Sequence, residues 1–139
     1  MRSILIDAGP LIALFDRSDA HHDGVREFIR DLHAQLVTTW PVVTEVSYML
    51  DFDVRAQVDF LRWISSDGLE FFDIDSESLS RIIDLMGKYK DRPMDLADAS
   101  LVVAAERLSL FEIISIDSDF DIYRTAERKH IRNLYQEGR

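Results

Sequence analysis

Apolar and polar positions along this chain alternate between two rhythms. Short runs of branched apolar residues, Ser3 to Ile6, Leu36 to Thr39, Leu69 to Phe72, Phe111 to Ile116 and Ile131 to Tyr135, read as buried strands bounded by turn residues. Between them lie segments with helical spacing. Leu11 to Phe15 is a short one, with Gly9 and Pro10 suited to a tight entry. His21 to Leu32 carries Val25, Phe28, Ile29 and Leu32 on a charged background, and Val42 to Leu50 follows Pro41 at a first helical position. Asp51 to Ser65 presents Val54, Val58, Phe60, Leu61 and Ile64, and Ser76 to Tyr89 presents Leu79, Ile82, Ile83, Leu85 and Met86, each set expected to pack against a sheet. Leu96 to Leu108 is apolar on nearly every side and contains no breaker, so it is expected inside the protein. Phe120 to Arg124 is expected as a brief helix.

About five short strands alternating with helices predict an α/β fold, a three-layer α/β/α arrangement around a mostly parallel central sheet. In such a layer each connecting helix runs against the strands, so strand ends and helix starts share one edge, where open α/β sheets bind ligands. Asp7 ends the first strand and Asp117 follows the fourth, while Glu45 and Asp98 lie near the starts of two helices. All four acids are therefore expected at one edge. Each has a structural alternative: Asp7 can cap the next helix, and Glu45 can serve as a dipole partner. Glu45 has apolar neighbours, however, and a carboxylate among them needs compensation. Asp95 shares a helical face with Asp98 but also fits an N-cap, and Asp119 fits either an outer ligand or the cap of the short helix after it.

Composition narrows the chemistry. The 139 residues are expected to form a single domain, 47% hydrophobic, with a net charge of −10 and no cysteine. That charge argues against a passive salt-driven nucleic-acid binder, though not against an enzyme that reaches phosphate through a bound cation. Without thiolates, carboxylates are the available ligands, and they suit a hard cation such as Mg²⁺ or Mn²⁺. His21 and His22 point about 100° apart on a helix and are read as a solvated helix start, and His33 as a partner of a helix C-terminus. Lys88, Lys90 and Arg92 form a basic loop, read as solvated and placed where it could also meet phosphate. No stretch has the length of a membrane span and the N-terminus lacks a signal-peptide pattern, so a cytoplasmic location is expected. Like charges gathered at one edge repel and raise one another's pKa, a cost that a bound divalent cation removes.

The segments ILIDAGPLIALFD, TTWPVVTEVSYML, MDLADASLVVAAERL and IISIDSDF, in this order and spacing, resemble the PIN domain, and in size and wording the VapC-type toxins of bacterial toxin–antitoxin pairs. Asp51 to Tyr89 carries no such motif. The resemblance implies that Asp7, Glu45, Asp98 and Asp117 are the acidic quartet, with Ser115 where the family commonly has Thr or Ser ahead of the fourth acid. It implies a Mg²⁺- or Mn²⁺-dependent endoribonuclease leaving a 5′-phosphate and a 3′-hydroxyl. Asp7, Asp98 and Asp117 would hold the cation, and Glu45 would complete a second site or act as base. A homodimer and a small antitoxin are implied as partners, the latter blocking the edge through the apolar helices around Val46 to Leu61. Two rival readings are a PIN-like scaffold that binds RNA or protein without catalysis, and a receiver-like phospho-signalling protein. The second wants an acid after the third strand and a Lys after a later one, and no Lys follows the fourth here.

Overall fold

The computed structural model describes residues 1–92 and 94–137, so Pro93, at the head of the stretch leading to Asp98, lies outside the described residues. The chain forms β1 (Ser3–Ile6), α1 (Ala8–Phe15), α2 (His22–Leu32), β2 (Gln35–Thr38), α3 (Trp40–Met49), α4 (Val54–Ser65), β3 (Glu70–Phe71), α5 (Ser76–Lys88), α6 (Leu96–Leu108), β4 (Glu112–Ile114), a 3₁₀ turn (Asp119–Asp121), β5 (Arg132–Asn133) and α7 (Leu134–Glu137). The strands build one five-stranded sheet in the order β3-β2-β1-β4-β5. Every pairing in it is parallel, where a mostly parallel sheet was expected.

Ile4, Leu5 and Ile6 are consecutive and all fully buried. Since successive side chains of a strand point to opposite faces, both faces of β1 are covered by helices. The crossovers β1 to β2 and β2 to β3 step one way across the sheet and the link to β4 steps back past β1. Helix α1 packs against α2, α3 and α4, while α5 packs against α6, which also meets α3. The reversal opens a switch point between the carboxyl ends of β1 and β4. Helix α6 fills the interior as its composition predicts, with Leu101, Val102, Val103, Ala104 and Ala105 fully buried.

Two helices bury only part of the apolar set expected of them: Phe60 and Ile64 of α4 and Ile82 and Leu85 of α5 face the core, and the others do not. In α4 the buried contact comes from Phe60, with Ala56 and Trp63 packed beside it, while Val54 is 65% exposed and Val58 and Leu61 also face outward. Both stripes are apolar at i, i+4, i+7 spacing. The inward one is selected by Phe15, whose ring centroid lies 5.4 Å from those of Phe60 and Trp63. In α5 the inward stripe is Ser78, Ile82 and Leu85, leaving Ile83 70% exposed and Leu79 and Met86 outside. Ser78 can occupy a buried position because its hydroxyl and backbone N–H both donate to Asp75 at 2.8 Å.

Smaller differences concern helix ends. Helix α1 begins at Ala8, so Gly9 and Pro10 lie within its first turn, where the N–H that Pro lacks has no helical partner anyway. His21 and His22 are half-buried: His22 Nδ1 lies 2.7 Å from the Ala13 carbonyl oxygen and His21 stands edge-on to Tyr135. His33 closes α2 in the left-handed conformation at φ 50°. The segment after Asp119 is a single 3₁₀ turn, shorter than the helix expected there.

Strand β5 is short but tightly joined to the end of β4 by one side chain. Buried Asn133 donates from Nδ2 to the Ser115 carbonyl at 3.0 Å and accepts at Oδ1 from the Ser115 N–H at 3.1 Å and the Tyr135 N–H at 3.2 Å. Asn133→Ala strips these buried backbone groups of that partner at once. A loss of about 2–4 kcal/mol in urea unfolding is expected; a change below about 1 kcal/mol would show that water replaces the carboxamide freely.

Candidate active site at the carboxyl edge

Asp7 follows β1 directly, at the switch point. Its Oδ1 accepts from the Ala8 N–H at 2.8 Å, so it caps α1, and its Oδ2 accepts from Ser115 Oγ at 3.1 Å. The side chain does both things that were weighed against each other: it caps a helix and offers an oxygen to the edge. At 4% exposure it is nearly withdrawn from water. Desolvation chiefly, with Asp117 and Glu45 adding repulsion against the Ala8 and Ser115 hydrogen bonds, pushes its pKa from the usual 3.8 to about 7.

Asp98 sits in the first turn of α6. Its backbone N–H is capped by Asp95 Oδ1 at 2.8 Å, and its Oδ2 accepts from Tyr123 Oη at 3.1 Å. Asp95 is thus the N-cap, while its charge still acts on Asp98, Glu45 and Asp119. Burial, then repulsion from Asp7 and Asp95, raises the Asp98 pKa to about 8, against the opposing Tyr123 hydrogen bond. Burial and the Asp98 charge push the Tyr123 phenol upward in turn, so it stays a donor.

Asp117 lies past the end of β4, its Oδ1 accepting from the Asp119 N–H at 3.0 Å and standing 3.4 Å from Ser115 Oγ. Ser115, fully buried, therefore stands between Asp7 and Asp117 and fixes both. Glu45 falls in the second turn of α3, one turn later than expected, and is largely exposed. Its apolar neighbours Val42, Val43 and Val46 point into the core instead of surrounding it. Even so, partial desolvation and the charges of Asp95 and Asp117 raise its pKa, which places it within reach of the same field. Asp119 opens the 3₁₀ turn without capping it. Its pKa is raised by burial, Asp117 and Asp95, and Arg92 of the basic loop acts on it in the opposite sense.

The edge thus brings Asp7, Asp98, Asp117, Asp95 and Asp119 within one another's electrostatic reach, with Glu45 at its rim. Among the described residues no ion pair with Lys, Arg or His reaches Asp7, Glu45 or Asp98. As the side chains stand, no three carboxylates or imidazoles among the described residues are close enough to enclose an ion. The donor chemistry fits a hard cation nonetheless: the oxygens come from carboxylates, and two of these acids hold protons more tightly than usual because burial desolvates them and neighbouring carboxylates repel their charged forms.

Three groups that position this edge escaped the sequence reading. Tyr123, 2% exposed, lies in a polar stretch without periodic signal. Asn133 is visible only as one amide inside an apolar run. The third is the pair Thr39 and Ser100, buried with Oγ1 and Oγ 2.6 Å apart, which fastens the start of α3 to α6 and so fixes Glu45 relative to Asp98. Two small polar residues in apolar helices give no such hint.

An all-parallel α/β sheet with acids collected at its switch point defines a class of protein, one whose chemistry is carried by carboxylates beyond the strand ends. The comparisons make the class specific. This chain belongs to the PIN domain family, whose family model matches residues 4–127. It is similar to ribonuclease VapC26 of Mycobacterium tuberculosis, 28% identical over 116 residues that make up 82% of this chain and 86% of that one. The crystal structure of VapC20 from the same organism, described as a sarcin-ricin loop cleaving toxin, superposes with a TM-score of 0.76 at 16% identity, covering 84% of this chain and 91% of the other. VapBC2 of Rickettsia felis, crystallised with a DNA fragment from its promoter, matches with a TM-score of 0.58 at 10% identity, covering 84% and 89%.

The raised proton affinities carry a sign that can be measured. Between the usual 3.8 and about 8, folded Asp98 binds more proton than unfolded Asp98, so its contribution is full at low pH and is lost as pH rises through that interval. Asp7 acts in the same direction up to about 7. In chelator, melting temperature should fall from pH 5 to pH 8 for wild type and fall less for Asp98→Asn. Equal slopes would refute the buried, unpaired state of Asp98.

Proposed function

We propose that this chain is a Mg²⁺- or Mn²⁺-dependent endoribonuclease and the toxin of a toxin–antitoxin pair. The observation that carries the reading is the pair Asp7 and Asp98, held at one edge with raised proton affinity and no cationic partner among the described residues. Family membership and the ribonuclease and toxin names of its relatives support it. Asp7, Asp98 and Asp117 would hold the cation. Bound there, it would supply charge neutralisation at the scissile phosphate and a water acidic enough to attack near neutral pH.

The remaining tasks fall to the chain's own residues. Ser115 keeps the Asp7 and Asp117 carboxylates aimed at a common point, and Tyr123 fixes one oxygen of Asp98 so that the other is left for coordination. Glu45, raised in pKa and partly solvated, is positioned to take a proton from the attacking water or to complete a second cation site. Arg92, beside Asp119, is the basic-loop side chain best placed to meet a backbone phosphate. The capture of VapB with VapC in the Rickettsia complex supports an antitoxin partner for this chain. The outward stripes of α4 and α5 leave apolar side chains exposed where an antitoxin or a second copy of the chain in a homodimer would dock. We read residues 1–139 as a single domain; no helix among the described residues is long and apolar enough to cross a membrane, consistent with action in the cytoplasm.

Wild type should cleave RNA in Mg²⁺ and lose cleavage in chelator, and Asp98→Asn should lose about 10²-fold or more in rate. Cleavage that survives chelator, or that the Asn variant retains, would overturn the mechanism; a chain that binds RNA without cutting it would favour the scaffold reading. Added Mn²⁺ should raise the wild-type melting temperature roughly with the logarithm of its concentration and barely move Asp98→Asn. A flat wild-type response would mean that the edge binds no cation.

A further inference from the structure

Beside the acidic edge lies an open pocket of about 720 Å³ that the proposed hydrolysis leaves unused. Its walls are Trp40, Pro41, Tyr48 and Leu96, with Glu45 and Asp95 at the side shared with the acids. Trp40 opens α3 just past the end of β2, and its ring is stacked on Phe71 of β3, centroids 4.4 Å apart and planes 8° from parallel. One ring face is therefore held by Phe71, yet the residue remains 51% exposed and borders the pocket. A half-exposed indole with its orientation already fixed loses little entropy when a second flat group stacks on it.

Charge says which part of a nucleotide such a pocket can take. The chain carries a net −10, and among the described residues the charged side chains on the pocket wall are the two acids. Phosphate is repelled there. A nucleobase offers the opposite match: a flat, uncharged face for the indole and N–H donors at its edge for carboxylate oxygens. Base stacking on an aromatic ring adds affinity for RNA that an acidic surface does not draw from phosphate contacts alone.

We propose that Trp40, backed by Phe71, is a stacking platform that holds one unpaired nucleobase of the RNA next to the scissile phosphodiester. Only an unpaired base of the substrate can meet this platform, since a base inside a duplex cannot reach the ring. This rests on the ribonuclease reading for its occupant. Trp40 is here a positioning residue, remote from proton transfer and from the cation.

The test reads binding separately from cleavage. Trp63→Phe leaves Trp40 as the single indole, because the chain has two tryptophans. Its fluorescence is followed, with Ca²⁺ in place of Mg²⁺, as a single-stranded oligoribonucleotide of roughly eight nucleotides is added, against an abasic ribose-phosphate strand of the same length. Quenching by the first and not the second is expected. Trp40→Ala should weaken oligonucleotide binding about tenfold or more, Trp40→Phe should stay within about threefold of wild type, and the abasic strand should not distinguish the variants. In Mg²⁺ the alanine variant should raise KM more than it lowers kcat. Absent quenching, equal quenching by the abasic strand, or unchanged affinity in Trp40→Ala would each overturn the platform. A dimer that falls apart on Trp40→Ala while RNA affinity stays unchanged would assign the patch to a second copy of the chain and overturn it too. RNA bound through Trp40 but never cut would leave the platform standing and sink the hydrolysis, whereas cutting with unaltered Trp40→Ala binding would do the reverse.

Discussion

Removal of Asp7 from water without giving it a cation is the constraint around which the structure is arranged. The residue terminates a fully buried strand, so its position follows from the sheet and its oxygens have only neighbouring donors to turn to. One oxygen is used by the start of α1 and the other by Ser115. Both hydrogen bonds lower its pKa, and burial outweighs them. A purely structural cap would be cheaper at the surface, where Asp53 and Asp75 cap α4 and α5 with lowered pKa values. The contrast between those caps and Asp7 supports the proposal that Asp7 serves a positive charge and not the helix alone.

Uncharged hydrogen bonds carry the positioning. Asn133 clamps the backbone of Ser115, Ser115 spans Asp7 and Asp117, Tyr123 holds Asp98, and the Thr39 and Ser100 hydroxyls lock the helix bearing Glu45 to the helix bearing Asp98. Arginine or lysine in these places would fix the acids equally well and would neutralise them. The chain's strong buried-side ion pair, Arg81 with Glu106 at 2.8 Å, joins α5 to α6 away from this edge. Orientation is thus obtained without placing a fixed positive charge beside the acids, so the carboxyls stay able to give up their protons to an incoming cation.

Much of this was legible in the sequence because it depends on period and on chain direction. The β-branched runs fixed the strands, and parallel topology then placed Asp7, Asp98 and Asp117 at one edge whatever the details of packing. Residues that required a tertiary contact to interpret were not legible. In α4 and α5 two apolar stripes compete, and only Phe15 and the Asp75 bonds to Ser78 decide which faces inward. Glu45 was placed a turn too early because the helix start was put at Val42 and not at Trp40. Tyr123 and Asn133 gain their roles from partners 25 and 18 residues away, a separation that local pattern does not encode. The Trp40 and Phe71 stack belongs to the same group: each residue alone reads as ordinary β-edge apolar surface.

The central claim is that folding collects Asp7, Asp98 and Asp117 into a receptor for one hard cation. Anomalous scattering from crystals grown in Mn²⁺, collected at the manganese absorption edge, addresses it directly. The account expects a peak within coordination distance of Asp7 and Asp98 oxygens in wild type and its absence in Asp98→Asn crystals grown alike. A wild-type map without density at that edge, or with manganese bound only elsewhere, would contradict it.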